Sequence, residues 1–268
     1  MNQVTLAGTG LRTSRFIFGT ASLFNVGSRR RRLALLEAAI DSGFTHFDTA
    51  PYYGFGWAER DLGAVLKQHP GITVTTKVGI YSAGGESQSQ TSVLLRKAMG
   101  RVIPALSKPS VDFALARARR SLTDSLARLQ CEQVAVYMLH EPELELLDTD
   151  EWQRWLDAEV SAGRVGTFGL ALTADRLLPF LQKAQGLAPL IQVLDSLAHC
   201  EADVLNTFGK PLQITYGYVS AARAAGSHLP VADILQAALE RNQKGAVIVS
   251  TTKPERMRQY ADLLAAAS

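Results

Sequence analysis

The stretch from residue 30 to residue 49, RRRLALLEAAIDSGFTHFDT, contains the repeating unit that decides the fold. Its first part carries an apolar stripe at helical spacing, which predicts an amphipathic helix over 30–42. The stripe consists of Leu33, Leu36, Ala39 and Ile40. Asp41, Ser42 and Gly43 end this helix, and the apolar run 45–49 that follows is typical of a short strand.

The same alternation of strand and helix recurs along the whole chain. Apolar, β-branched runs that predict strands lie at 15–19, 45–49, 72–78, 134–140, 167–172, 190–196, 212–218 and 246–251. Most are apolar nearly throughout, as expected of parallel strands covered on both faces. We therefore predict an α/β fold, a single (β/α)8 TIM barrel over 1–268.

A small hairpin is expected before the barrel, formed by 4–6 and 9–11. The competing architecture is an open, doubly wound sheet, since alternation alone does not separate the two. No GxGxxG follows the first strand, which favours the closed barrel. The connection from Gly79 to Ser110 is unusually long, and it would emerge at the carboxyl face of the barrel, where substrates bind in this fold.

Composition narrows the class of protein. The chain has 268 residues, is 47% hydrophobic and carries a formal net charge of only +3, which argues against a nucleic-acid partner. Its two cysteines are too few for a disulfide framework, so a reducing compartment is expected. With no secretory leader and no long apolar run, we expect a soluble, cytoplasmic protein without a membrane partner.

Polar side chains stand at the ends of neighbouring predicted strands. Asp48 lies at the end of the second strand and Tyr53 just beyond it, and Lys77 and His140 lie at the ends of the third and fourth. Alone, each is more often a cap, a packing residue or a surface charge. Together they would converge at one face of the barrel, where a buried lysine needs a carboxylate. No His, Cys or Asp cluster has metal-ligand spacing, so no metal site is predicted.

The chain resembles the aldo-keto reductase superfamily from about Phe18 to Leu264. Asp48, Tyr53, Lys77 and His140 match the catalytic tetrad of that family in type, order and spacing. The segment 48–56, DTAPYYGFG, looks most like the branch of aldose, galactose and pyridoxal-type dehydrogenases. Tyr52 is a competing candidate for the acid, but the five-residue spacing to Asp48 favours Tyr53.

The resemblance implies hydride transfer between a carbonyl and its alcohol. Tyr53 would be the general acid in reduction and the base in oxidation. Because an ordinary tyrosine has a pKa of about 10, Lys77 is expected to lower it, with Asp48 orienting Lys77. His140 would donate a hydrogen bond to the carbonyl oxygen.

The resemblance also implies the cofactor NADP(H). Gln192 matches the nicotinamide-amide contact and Tyr216 the aromatic residue that stacks on the nicotinamide. Ser250 and Thr251 lie in the loop that holds the adenosine 2′-phosphate, Arg256 matches the phosphate arginine, and Gln259 falls at an adenine contact. An arginine near a helix start suits a phosphate.

Two departures keep NAD(H) open as an alternative cofactor. The run 169–173, GLALT, stands where the family often has Ser-Asn, and Ser250 replaces the lysine that commonly accompanies Arg256. Lys253 is a candidate to compensate for that lysine.

We therefore consider two functions for this protein, and in both its partner is a small molecule. The first is an enzyme acting on an aldehyde, ketone or sugar, with Trp57 as a candidate wall of the substrate pocket. The second is a nucleotide-binding barrel with a regulatory or interaction role. The intact set of Asp48, Tyr53, Lys77 and His140 favours the enzyme. The natural substrate and the oligomeric state cannot be read from the sequence, because the pocket is built by variable loops.

Overall fold

The computed structural model describes residues 2–100 and 108–266, and its centre is a closed parallel barrel. In chain order the strands are β1 (Gln3–Thr5), β2 (Arg12–Ser14), β3 (Phe16–Gly19), β4 (His46–Asp48), β5 (Thr73–Val78), β6 (Ile80–Tyr81), β7 (Ser110–Val111), β8 (Val134–His140), β9 (Val165–Leu172), β10 (Leu190–Leu194), β11 (Ile214–Tyr216) and β12 (Ala246–Val249). The barrel runs β3-β4-β5-β8-β9-β10-β11-β12, and β12 pairs in parallel with β3 to close it. The predicted TIM barrel is confirmed, and the open sheet is excluded.

Helices follow most of the barrel strands and surround them. They are α1 (Arg29–Asp41), α2 (Trp57–Leu66), α3 (Gln90–Gly100), α4 (Leu115–Leu129), α5 (Thr149–Ser161), α6 (Ala174–Lys183), α7 (Tyr218–Ala224), α8 (Val231–Arg241) and α9 (Glu255–Ala266). None of the helices within the described ranges is long and apolar enough to cross a membrane.

A hairpin precedes the barrel, as expected, but its second strand lies slightly later than predicted. β1 pairs antiparallel with β2, with Val4 opposite Thr13. Gly8 and Gly10 both have positive φ, so the residues between Leu6 and Leu11 form the turn. Leu6 is fully buried and packs with the apolar side chains inside the barrel, so the hairpin closes its amino-terminal end.

The side chains of each barrel strand point alternately towards the surrounding helices and into the barrel, and this alternation positions the polar side chains. Along β8, Tyr137 and Leu139 pack outward against the helices, whereas Val136 and Met138 fill the barrel interior. Side chains of a strand alternate between its faces, so His140 points to the interior like Val136 and Met138. The same rule turns inward the polar side chains that lie at or near the carboxyl ends of neighbouring strands. These are Asp48, Lys77, Gln192 and Tyr216.

A buried histidine on β4 makes stability depend on pH. His46 is fully buried, and its ring nitrogens lie 2.7 and 2.8 Å from the hydroxyls of Thr73 and Thr75. Burial, helped by the charge of Lys77, lowers the pKa of His46 to about 3. In the unfolded chain the ring takes up a proton near pH 6.5. The unfolded state therefore binds more protons, and folding free energy is lost as pH falls from about 6.5 towards about 3.

We expect replacement of His46 by Asn to reduce this acid sensitivity. The variant should be less stable near neutrality because it loses buried hydrogen bonds. Between about pH 6 and pH 4, however, its free energy of unfolding should fall by about 1.4 kcal/mol less per pH unit than that of the parent. Urea unfolding at several pH values measures both slopes. His228→Asn, at an exposed histidine, is the control and should leave the slope unchanged; equal slopes for the parent and His46→Asn would contradict the prediction.

Candidate active site

A buried lysine connects the polar side chains at the carboxyl end of the barrel. Lys77 Nζ donates hydrogen bonds to Asp48 Oδ1 at 2.6 Å, to the Thr49 carbonyl at 3.0 Å and to the Tyr53 hydroxyl at 3.3 Å. Lys77 is 1% exposed and Asp48 4%. An ammonium has three donors, and all three are used here. Its head group is therefore fixed between the carboxylate and the phenol.

The charge of Lys77 is secured by its partners. Burial lowers the pKa of Lys77, but Asp48 and the Tyr53 hydroxyl together raise it above its ordinary value. Lys77 is thus a cation at neutral pH, and Asp48 is its counter-ion at 2.6 Å. Each member of this buried ion pair supplies the opposite charge that the other needs, and Asp48 Oδ1 accepts the hydrogen bond.

A tight turn after β4 brings Tyr53 back to Lys77. Gly54, Phe55 and Gly56 all have positive φ. A Cβ on Gly54 would lie 2.9 Å from the Cβ of Phe24, so this position accepts only glycine without displacing its neighbour. The turn directs Tyr53 into the cavity. Tyr52 differs, since its carbonyl accepts a hydrogen bond from Ser82 Oγ at 3.4 Å and its ring is not part of the cavity wall.

The proton affinity of Tyr53 differs from the expectation. Burial raises the pKa of Tyr53 above its ordinary value, and Lys77 lowers it only in part. The nearby carboxylates of Asp48 and Glu141 also raise it. Lys77 acts in the expected direction but does not outweigh burial, so Tyr53 is a protonated phenol at neutral pH.

His140 stands beside Tyr53 as a neutral ring. Their ring centroids are 6.0 Å apart in an edge-on arrangement. Burial, with the charge of Lys77, lowers the pKa of His140 well below its ordinary value. A neutral imidazole has one N–H donor and one acceptor nitrogen, so His140 can donate to a polar atom without carrying a charge.

A cavity of about 300 Å³ lies beside Lys77 and its partners. Asp48, Tyr53 and His140 are among its lining residues. Several residues matched to cofactor contacts lie on its walls as well, namely Gln192, Tyr216, Ser250 and Arg256.

Three of the predicted site residues lie elsewhere. Thr251 is buried behind the wall, and its hydroxyl accepts a hydrogen bond from the Lys253 N–H at 3.1 Å. Gln259 is exposed on α9. The Trp57 indole donates to the Gln88 carbonyl at 3.1 Å and lies under the Arg60 guanidinium, away from the cavity lining.

The ends of β3 and β12 lie in close contact beside the cavity. Ser250 Oγ donates to the Gly19 carbonyl at 3.0 Å. A Cβ on Gly19 would lie 2.5 Å from Ser250 Oγ and 2.9 Å from Ile248 Cγ2, so a larger residue would displace these two side chains. Both belong to residues that line the cavity, so glycine at position 19 preserves this part of its wall.

One wall is anchored by a network that the sequence did not reveal. The Tyr218 hydroxyl donates to buried Asp195 at 2.6 Å, and Arg241 donates to the same carboxylate at 2.5 and 3.1 Å. Tyr218 and its neighbours up to Ser220 line the cavity. The network fixes the start of α7 against the end of β10. Because Asp195 and Arg241 are far apart in sequence, no local pattern signals their pairing.

Glu141 is a second group at the site that the sequence did not indicate. Its carboxylate accepts a hydrogen bond from the Tyr216 hydroxyl at 3.3 Å and one from the Thr173 N–H at 3.2 Å. Burial raises the pKa of this carboxyl. The one feature of the sequence that points to Glu141 is its position directly after the candidate site residue His140.

Comparison with known proteins places the chain in a family. The model of the aldo/keto reductase family matches residues 15–187. The chain is 31% identical over 147 residues to D-threo-aldose 1-dehydrogenase from a Pseudomonas species, and 31% identical over 150 residues to L-galactose dehydrogenase from Arabidopsis thaliana. Each match covers 53% of this chain, but only 44% and 39% of those relatives, so the chain spans less than half of their length.

A solved structure extends the similarity of fold to the whole barrel. The aldo-keto reductase from Klebsiella pneumoniae in complex with NADPH superposes with a TM-score of 0.66 at 20% identity, and the match covers 99% of this chain and 90% of that one. The barrel fold, the polar residues at the strand ends and the match to the family model all indicate the same family. The named relatives support the similarity to aldose and galactose dehydrogenases that the segment 48–56 predicted, and the chain belongs to the aldo/keto reductase family.

Proposed function

We propose that this chain is an oxidoreductase that interconverts a carbonyl and its alcohol with NADP(H), and that its 268 residues act as one catalytic unit. The observation that carries the proposal is the pair of contacts made by the Lys77 ammonium. Its Nζ binds both Asp48 and the Tyr53 hydroxyl at the wall of a cavity. Such an arrangement suits a phenol that gives up and regains a proton.

Proton transfer is the task that this geometry favours. Reduction of a carbonyl places negative charge on its oxygen, which must be protonated. Tyr53 is the phenol that supplies this proton, and the tyrosinate left behind is stabilised by the cation of Lys77. Asp48 keeps Lys77 charged and in place. In oxidation the same tyrosinate removes the proton from the alcohol.

His140 is suited to orient the substrate. As a neutral ring beside Tyr53, it can donate a hydrogen bond to the same oxygen. A donor placed where charge develops stabilises the transition state without first having to reorient.

The cavity residues fit a nicotinamide dinucleotide. Gln192 is 5% exposed, and its Oε1 has no hydrogen-bond partner among the described residues, so it can accept from an amide. Tyr216 offers an aromatic face, and Arg256 a cation, on the walls of the same cavity. When bound, NADPH supplies a hydride to the carbonyl carbon and NADP+ accepts one from the alcohol. Gln192, Tyr216 and Arg256 would hold it.

We expect Arg256 to distinguish the two dinucleotides. Replacement of Arg256 by Ala should weaken NADP(H) binding by about 1 to 3 kcal/mol and leave NAD(H) binding nearly unchanged, because only NADP(H) carries the 2′-phosphate. Since Ser250 stands in place of a second cation, the preference of the parent for NADP(H) should be modest. Titration calorimetry with each cofactor measures this. Equal losses for both cofactors would show that Arg256 does not recognise the phosphate.

The substrate class proposed is a small aldehyde, ketone or sugar. The names of the relatives, an aldose dehydrogenase and a galactose dehydrogenase, support a sugar. Consumption of NADPH on a panel of aldehydes, measured beside reduction of NADP+ and NAD+ on a panel of aldoses, tests the proposal. Turnover on at least one panel is expected. Tight binding of the nucleotide without turnover on either would instead favour a regulatory barrel.

A further inference from the structure

Glu141 has an unusual backbone conformation at the edge of the cavity. Its φ is +50°, in the left-handed region that non-glycine residues seldom occupy. Two hydrogen bonds hold it there. Its N–H donates to the Ala171 carbonyl at 2.8 Å, and its own carbonyl accepts from Arg176 Nη1 at 2.8 Å. Conformations of this kind persist where the surroundings enforce them, and they cluster at functional sites.

The conformation presents the Glu141 carboxylate to Tyr216. The Tyr216 hydroxyl donates to Oε1 at 3.3 Å, and the Thr173 N–H donates to Oε2 at 3.2 Å. Tyr216 ends β11, whereas Glu141 follows β8, so this bond spans the mouth of the barrel. The inward-facing residue at the end of β9 is apolar Ala171. Glu141 is therefore the group that holds the phenol of Tyr216.

The Glu141 carboxylate is also a negative charge with little compensation. Deeper in the site, Asp48 and Lys77 neutralise each other. The charge of Arg176 lowers the pKa of the Glu141 carboxyl in part, but its guanidinium binds the backbone carbonyl of Glu141 and, at 3.2 Å, the carboxylate of Glu143. Within the part of the chain that the structure describes, no cation forms an ion pair with the Glu141 carboxylate. A carboxylate without an ion-pair partner of its own therefore lies at the Tyr216 hydroxyl.

We infer that Glu141 is a positioning residue for the dinucleotide, which holds Tyr216 across the cavity and, by its charge, favours the oxidised over the reduced cofactor. This inference rests on the proposed function. The nicotinamide ring of NADP+ carries a positive charge, whereas that of NADPH is neutral. A nearby carboxylate attracts the first and not the second. A purely structural role would affect the binding of both forms alike.

Calorimetric titration of the ligand-free protein with NADP+ and with NADPH tests the inference. In Glu141→Gln, the ratio of the Kd for NADP+ to the Kd for NADPH should rise roughly three- to tenfold, as expected for loss of one partly screened unit charge. Glu143→Gln is the matched control. It removes a neighbouring, exposed carboxylate that pairs with Arg176, whereas Glu141 binds the Tyr216 hydroxyl, so Glu143→Gln should leave the ratio unchanged.

Two further variants separate charge from position. Glu141→Asp keeps the charge, so its ratio should stay within about twofold of the parent even if both affinities fall. Tyr216→Phe removes the hydroxyl that Glu141 holds and should weaken both cofactor forms by a similar factor. Should Glu141→Gln fail to fold, Glu141→Asp compared with Glu141→Ala at the same site gives the same contrast.

Each outcome decides between the alternatives. An unchanged ratio in Glu141→Gln, or a ratio that Glu143→Gln raises equally, would overturn the role of the charge. Unchanged binding in Tyr216→Phe would overturn the positioning role. Failure of the parent protein to bind either cofactor form would defeat the proposed function itself, and the inference with it.

Discussion

Replacing Tyr53 by Phe is expected to lower kcat by roughly 10²- to 10⁴-fold, the usual contribution of general acid–base catalysis. The change keeps the ring and deletes only the hydroxyl that lies 3.3 Å from Lys77 Nζ. Folding and cofactor binding should therefore survive. The loss should fall on kcat and not on cofactor affinity, because the proton moves only in the transition state. Steady-state kinetics, with calorimetry for the cofactor, separates the two.

The adjacent tyrosine supplies the matched control. Tyr52→Phe deletes a hydroxyl outside the cavity lining and should have a far milder effect. If Tyr52→Phe were inactive while Tyr53→Phe kept most of its turnover, both the assignment of the acid and the alignment of 48–56 would be wrong.

Lys77→Met is expected to share the Tyr53 defect and to move the pH profile. Burial raises the pKa of Tyr53, and Lys77 is the main group that lowers it. Without the cation, the pKa of the phenol rises further, so the tyrosinate needed as base for alcohol oxidation forms only at higher pH. The rate of oxidation at neutral pH should fall, and its rise with pH should shift upward. Rate measurements across a range of pH detect the shift.

The free energy of unfolding distinguishes the electrostatic role of Lys77 from a packing defect caused by its replacement. Removing Lys77 leaves the carboxyl of Asp48 buried without its counter-ion, a change that typically costs about 3 to 5 kcal/mol. The double variant Asp48→Asn, Lys77→Met should regain part of that stability but none of the turnover. Recovery of turnover in the double variant, or an unshifted pH profile in Lys77→Met, would contradict the role given to Lys77.

The sequence predicted the barrel because its strands are buried on both faces. The run 134–140 is observed with the same bounds as β8, and other strands differ by a residue or two at their ends. Alternation along each strand then places the last side chains. Asp48, Lys77 and His140 therefore meet as the pattern predicts, although their distances in sequence are large.

What the sequence could not predict depends on contacts between distant segments. The pairing of Asp195 with Arg241, and that of Glu141 with Tyr216, join groups with no common local pattern. Burial decides that the pKa of Tyr53 ends above its ordinary value in spite of Lys77, and burial is a property of the folded cavity. The position of Trp57 likewise follows from its bond to the Gln88 carbonyl, in a connection whose structure no motif specified.

The most direct test of hydride transfer by this chain uses NADPH that carries deuterium in place of the transferable hydrogen at C4. The alcohol formed from an accepted aldehyde is analysed by mass spectrometry and NMR, with Tyr53→Phe run in parallel. We predict that the parent protein places deuterium on the former carbonyl carbon in step with cofactor oxidation, and that Tyr53→Phe forms the same labelled product far more slowly. Alcohol formed without deuterium, or at equal rates in both proteins, would contradict the proposed chemistry.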